Sequence, residues 1–283
     1  MIRARTRLLN TTGFTLIELL VGILLMSVMI IVIYKVHQSY QRTYLVQEDV
    51  ADLQQNLRFG LLMMSREIRM AGCNPLEVSL TPIVSATSNS LHLQMDIRGG
   101  NTDQKDNDED GTIDEADEMA YSDGNPEDVT YTFSLGELRR NGVVLAENIE
   151  DLGFAYAFDA DEDGQLDTLG GKIIWAIDTN GDNQLDLNLD TNGDGKIDLA
   201  DDTNGDGIID GTPLSNTVGI DKIRAVRIWL LARSKKPDFR FNNTKRYVVC
   251  RSILSPGTDQ GGVKAHYRMK MFETFVKCRN LTL

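Results

Sequence analysis

The chain has 283 residues, 41% of them hydrophobic, with 29 Lys+Arg against 42 Asp+Glu and a net charge of −13. That content supports one globular domain with extra length. The acids are unevenly spread: residues 103–128 carry 12 and residues 159–210 carry 15, with only Lys105, Lys172 and Lys196 as bases among them. The remainder is mildly basic, so the sum excludes whole-protein attraction to nucleic acid, while the two acidic blocks call for cations.

Catalytic signatures are missing. Cys73, Cys250 and Cys278 form no C-x-x-C, which excludes a cysteine zinc ribbon and a thioredoxin-type motif. His37, His92 and His266 are scattered, and neither G-x-S-x-G nor H-E-x-x-H occurs. Gly170-Gly171-Lys172 is followed by Ile173, and Leu166 stands where a P-loop needs its first glycine. The chain is not expected to be an enzyme.

Residues 14–34 form an apolar run broken by one charge, Glu18, and follow Arg3, Arg5 and Arg7 in a segment with no acid. At about 1.5 Å per residue, 21 helical residues span roughly 30 Å, the hydrocarbon core of a bilayer. The arginines predict a cytoplasmic N-terminus and a translocated body. A carboxylate in that run costs about 2.5–3.5 kcal/mol on insertion scales unless a cation meets it. Cleavage between Gly13 and Phe14 would create an α-amine, and a neighbouring subunit shifted along the axis could present its own amine to Glu18.

Gly13-Phe14-Thr15-Leu16-Ile17-Glu18 resembles the class III signal of type IV pilins and pseudopilins. The resemblance implies a leader (residues 1–13) removed by a membrane prepilin peptidase, methylation of Phe14, and an assembly role for Glu18. It also implies an inner-membrane, single-pass precursor that later enters a fibre at the cell surface or in the periplasm, with other major and minor pilins as partners.

From residue 35 to 71 no proline occurs, and apolar residues recur at helical spacing: Val36, Tyr40, Val46, Val50, Leu53, Leu57, Leu61, Met64 and Ile68. Residues 35–72 therefore read as the amphipathic half of one long helix, stopped by Gly72 and Pro75. Residues 73–283 read as a globular head. Period-two alternation predicts strands at 91–95 and 129–135, and Asn141-Gly142 a tight turn. Further strands are expected at 152–158, 173–177, 223–232, 246–254 and 267–276, with a loop at 257–262. Strands that follow a helix rather than alternating with helices predict an α+β fold with an antiparallel sheet. Residues 61–72 (LLMMSREIRMAG), 149–156, 225–234 (AVRIWLLARS) and 267–280 look like the matching stretches of PilW-type minor pilins. That resemblance implies a pilin-like head and a subunit that primes or caps a pilus. Minor pseudopilins of type II secretion share the layout, and a calcium-dependent tip adhesin is a further reading.

The acidic inserts read as calcium loops. Asp106, Asp108, Asp110, Asp114 and Asp117 place oxygens at positions 1, 3, 5, 9 and 12 of a twelve-residue EF-hand-type loop, with Gly111 at position 6 and the Thr112 carbonyl at position 7. A second match starts at Asp159, with Asp161, Asp163 and Asp167, and has Gly170 at position 12. Three copies in twelve-residue register follow. They offer Asp178, Asn180, Asp182 and Asp186; then Asp190, Asn192, Asp194, Lys196 (by its carbonyl), Asp198 and Asp201; then Asp202, Asn204, Asp206 and Asp210. An apolar residue stands at position 8 each time. Ca2+ is the expected cofactor.

The translocated compartment is oxidising, so a disulfide is expected. Cys250–Cys278 is preferred because both lie on strands expected to be near each other; a Cys73 partner or three free thiols are the alternatives. Lys235, Lys236, Arg240, Lys245 and Arg246 form a basic stretch read as a solvated loop, with no nucleic-acid partner expected.

Overall fold

The computed structural model describes residues 13, 15–74, 79–95, 127–258 and 260–281. The chain divides into two compact units after Asp49, and one helix, α1 (Leu16–Met70), runs through the division. In the first unit the helix is exposed along residues 16–34. It is the one helix among the described residues long and apolar enough to cross a membrane. Many of its residues are β-branched and weak helix formers in water. In hydrocarbon the backbone must satisfy its own hydrogen bonds, and an intra-segment helix does so.

In the second unit the helix buries Leu53, Leu57, Gly60, Met64, Glu67 and Ile68, an i, i+4, i+7 stripe. Of the predicted stripe, Leu53, Leu57, Met64 and Ile68 are buried, Val46 and Val50 are half-buried, and Val36 and Tyr40 are exposed. Gly60 sits in close contact with the sheets: a Cβ there would lie 2.9 Å from Leu138 Cδ2 and 3.4 Å from Leu230 Cδ2, so a side chain would displace the Leu138 methyl. The helix closes on Gly72, whose φ of +74° suits a residue without Cβ.

A five-stranded antiparallel meander follows: β1 (Ile83–Ala86), β2 (Ser90–Met95), β3 (Glu127–Ser134), β4 (Glu137–Arg140) and β5 (Val143–Glu147). Asn141 and Gly142 take positive φ and turn β4 into β5 as expected. Glu127 and Asp128, assigned by sequence to the first acidic insert, belong to β3. Leu135, expected on the strand's apolar face, sits in the β3–β4 turn at φ +55° and is 93% exposed.

The remaining strands are β6 (Ile149–Phe158), β7 (Thr168–Leu169), β8 (Lys172–Ile173), β9 (Ala176–Ile177), β10 (Gln184–Asn188), β11 (Thr212–Gly219), β12 (Ile223–Arg233), β13 (Tyr247–Val249), β14 (Ser252–Leu254) and β15 (Met269–Lys277). Six form an antiparallel sheet in the order β11-β10-β9-β6-β12-β15. The class is α+β, a long N-terminal helix packed against antiparallel sheets. Two expected strands are broken: residues 173–177 divide between β8 and β9, and residues 246–254 form a hairpin. Its two-residue turn is Cys250-Arg251, with Cys250 at φ +52°.

β6 and β12 are buried on both faces. Leu152, Phe154, Tyr156, Val226, Ile228 and Leu230 belong to the core shared with α1, whereas Ala155, Ala157, Ala225, Trp229 and Leu231 belong to a second core. This corrects the expected disulfide. Cys250 lies in the second core and Cys278 in the first, so the sheet separates them, and all three cysteines are free thiols. Burial pushes the Cys250 and Cys278 thiols up to about 12.

A polar group pins the helix to the meander. Glu67, nearly buried on α1, accepts from Arg140 Nε at 2.9 Å and pairs with Arg140 Nη2 at 2.8 Å, while the Tyr131 hydroxyl donates to its other oxygen. Burial and the neighbouring carboxylate raise the Tyr131 phenol well above its ordinary range. Glu67→Ala leaves Arg140 and Tyr131 without their acceptor and is expected to cost about 2–3 kcal/mol. Glu67→Gln, which keeps an acceptor, should cost less. Urea unfolding checks this; a wild-type midpoint for Glu67→Ala would show that the triad adds nothing.

Candidate functional site

Four acidic loops, residues 159–170, 178–189, 190–201 and 202–213, are built on one hydrogen-bonding plan. The position-1 carboxylate gathers N–H groups from the turn ahead of it. Asp159 accepts from Asp163 and Gly164 at 3.1 and 3.0 Å, and Asp178 from Gly181 and Asn183 at 2.6 and 2.9 Å. Asp190 accepts from Gly193 and Gly195 at 2.8 Å each, and Asp202 from Gly205 and Gly207 at 2.8 and 3.2 Å. Position 3 then accepts the position-5 N–H: Asp161 at 3.3 Å, Asn180 at 2.9 Å, Asn192 and Asn204 at 2.8 Å. Position 5 accepts the position-7 N–H: Asp163, Asp194 and Asp206 at 2.8 Å and Asp182 at 2.9 Å. The backbone thus curls round each first carboxylate.

That curl needs positive φ twice per loop. Position 6 is Gly164, Asn183, Gly195 and Gly207, and position 4 is Glu162, Gly181, Gly193 and Gly205, all at positive φ. Position 4 is a requirement the sequence reading missed, although the repeated D-T-N-G carried it.

Each loop closes through a distal carboxylate. Asp167 accepts the Ala160 N–H at 3.2 Å, Asp186 the Thr179 hydroxyl at 2.7 Å, and Asp210 the Thr203 N–H at 2.9 Å. The Thr203 hydrogen bonds hold the Asp210 carboxyl below its usual range. The third loop departs from this. Its position-9 residue, Asp198, caps a short 3-10 turn, and the fully buried Asp201 at position 12 takes the Thr191 N–H at 2.7 Å and the Asp198 N–H at 2.9 Å.

The oxygens converge in part. In the first loop one carboxylate oxygen each from Asp159, Asp161 and Asp167 lie within 4.8 Å of one another. In the second, Asp186 Oδ1 is buried without a hydrogen-bond partner among the described residues. The Lys196 carbonyl stands at position 7 of the third. Asp106, Asp108, Asp110, Thr112, Asp114 and Asp117 lie outside the described residues, as does Phe14.

The loops are anchored by their apolar position 8. Ile197 and Ile209 are buried in the second core with Trp175, Trp229 and Val248, Leu166 packs against it, and Leu185 is buried in the first core. Asp159, Asp178 and Asp190 are themselves buried, held by the N–H donors above.

At the other candidate site, Gly13 is exposed, and Glu18 closes a capping box. The Thr15 N–H donates to Glu18 Oε2 at 2.8 Å, and the Glu18 N–H donates to Thr15 Oγ1 at 3.3 Å. The T-x-x-E spacing announced this role, which the sequence reading left aside for assembly.

Comparison with known proteins places the N-terminus. Residues 9–34 match the family model described as the prokaryotic N-terminal methylation motif. The apolar helix that continues from it fits a chain anchored in a membrane before assembly. No curated protein matches the chain. Among solved structures, the chain is similar to a type IV-like pilin from Thermus thermophilus, at 15% identity and a TM-score of 0.41, over 82% of this chain and 98% of that one.

Asp201→Ala is expected to orphan three part-buried N–H groups, those of Thr191, Asn192 and Asp198. It should destabilise the head by about 1–3 kcal/mol. Thermal unfolding in a metal-chelating buffer tests this without any contribution from a bound ion, and an unchanged midpoint would refute it.

Proposed function

We propose that this chain is a minor pilin: a structural subunit made as a prepilin, cleaved after Gly13, methylated on Phe14, and inserted by its helix into a type IV pilus or the complex that primes it. The observation that carries the reading is the methylation motif at residues 9–34 running into a helix exposed along residues 16–34. Prepilin peptidase, the inner membrane and other pilins are the partners this implies. The arginines before the helix favour a cytoplasmic N-terminus. Glu18 is the assembly residue in this reading: a neighbour's N-terminal amine takes over the carboxylate from Thr15. Mass spectrometry of the mature chain decides, with N-methyl-phenylalanine expected at its first position; a chain that keeps Met1 would overturn the proposal.

The four loops are proposed to bind Ca2+ and to hold the outer face of the head. A hard cation takes six to eight oxygens, and the donor set is oxygen only. Asp186 Oδ1, without a hydrogen-bond partner among the described residues, and the grouped oxygens of Asp159, Asp161 and Asp167 support it. Each filled site should add about 2.7 kcal/mol at a hundredfold excess of Ca2+ over Kd. The chain should therefore melt higher in Ca2+ and be nicked by protease between residues 178 and 211 only in EGTA. An identical digest under both conditions counts against calcium.

A further inference from the structure

The six-stranded sheet ends on β15, nine residues that pair with β12 in one unbroken register, from Lys277 opposite Ala225 to Met269 opposite Arg233. Two hydrogen bonds that flank this ladder fix which backbone groups it uses. Ser234 donates to the Arg268 carbonyl at 2.8 Å, and Cys278 donates to the Arg224 carbonyl at 2.9 Å. Both are directly opposite pairs of the same register, and hydrogen-bonded pairs alternate along an antiparallel ladder. The even-numbered residues of β15 therefore bond to β12. The N–H and C=O groups of Met271, Glu273, Phe275 and Lys277 point to the free side, where no strand among the described residues pairs with them. Free edges are usually blunted. At the far edge of this sheet β11 carries Pro213 and a register shift against β10, and the meander ends on strands of four and five residues. β15 has neither a proline nor an irregularity.

Such an edge takes an extended backbone, and its side chains select which one. Glu273, Phe275 and Lys277 share the face toward the second core. Glu273 accepts from Arg227 Nε at 2.6 Å, Phe275 has its ring centre 6.0 Å from that of Trp175 yet is 56% exposed, and Lys277 is exposed. Acid–x–Phe–x–Lys is its own complement when run antiparallel. A two-fold axis through Glu273 sets that carboxylate against its copy, and one through Thr274 sets it against Phe275. An axis through Phe275 sets Glu273 against Lys277 on both sides of a Phe275 pair, and opposite charges and aromatic pairs directly across strands are the favourable ones. We infer that β15 pairs with β15 of a second copy of this chain, antiparallel about Phe275, in an isologous contact. The axis stands normal to the sheet, and α1 lies along the sheet layers from Leu53 to Ile68. The direction of this part of the helix is therefore reversed in the second copy. The contact joins heads that meet from opposite directions, as on two opposed fibres, and not neighbours in one fibre. Only that last step rests on the pilin reading above.

The test is sedimentation of the full chain in detergent over a concentration series, with amide hydrogen exchange on the same samples. A monomer–dimer equilibrium is expected, and the amides of Glu273, Phe275 and Lys277 should exchange more slowly as the dimer fills. Lys277→Glu sets acid against acid twice and should weaken the dimer about tenfold or more. Lys270→Glu makes the same change of charge outside the paired stretch and should leave the dimer as it is. Phe275→Pro removes an N–H that β12 does not use and should abolish the dimer while thermal unfolding shows the head still folded. Should that variant fail to fold, Lys277→Glu and the exchange data decide alone. A chain that stays monomeric at every concentration overturns the inference. So does a dimer that Lys277→Glu leaves intact with these three amides unprotected, which would be held elsewhere, as by the apolar helix. Dimerisation is read whether or not Phe14 is methylated, so its failure leaves the pilin reading standing.

Discussion

The head depends on strands β6 and β12, which pair along most of their length and are apolar on both faces. A two-sided apolar pair has to be covered twice. On one side the cover is the C-terminal part of α1, whose stripe from Leu53 to Ile68 supplies large side chains and, at Gly60, the gap that lets the helix touch both sheets. On the other side it is an acidic segment, an unusual choice for covering hydrocarbon. It works because the loops send their carboxylates outward or into their own backbone N–H groups, while Leu166, Ile197 and Ile209 pack into the second core beside the β13–β14 hairpin and Leu185 is buried in the first.

This explains how much could be read beforehand. The helix, the β2 and β3 alternation, the Asn141-Gly142 turn and the loop register were legible because each is a local signal: a period, a glycine, a spacing. Misreadings came where tertiary context decided. Leu135 matched the alternation but met a turn, and residues 246–254 read as one strand although the chain reverses at Cys250. The two cysteines were paired because their strands were expected to be neighbours; a face assignment would have needed the hairpin turn. The plan of the acidic loops was legible down to position 6, but the swap of Asp201 for Asp198 in the third loop depends on a capping choice that spacing alone does not reveal.

Glu18 sits between the two kinds of chemistry in this chain. In the isolated protein it serves its own helix, tying down the Thr15 N–H at the start of α1. A carboxylate already engaged locally is less costly to carry in an apolar run than a bare one. Any outside partner has to outcompete a hydroxyl and an amide that are always present.

The last three loops follow one another without a spacer, so the residue after each twelfth position is the first carboxylate of the next. Losing or gaining a single codon there would rotate every later aliphatic anchor away from its seat and misalign the glycines with the bends that need them. Only a change of length in whole dozens keeps the repeat in frame; any other increment shifts it against the sheet layers that receive its aliphatic anchors.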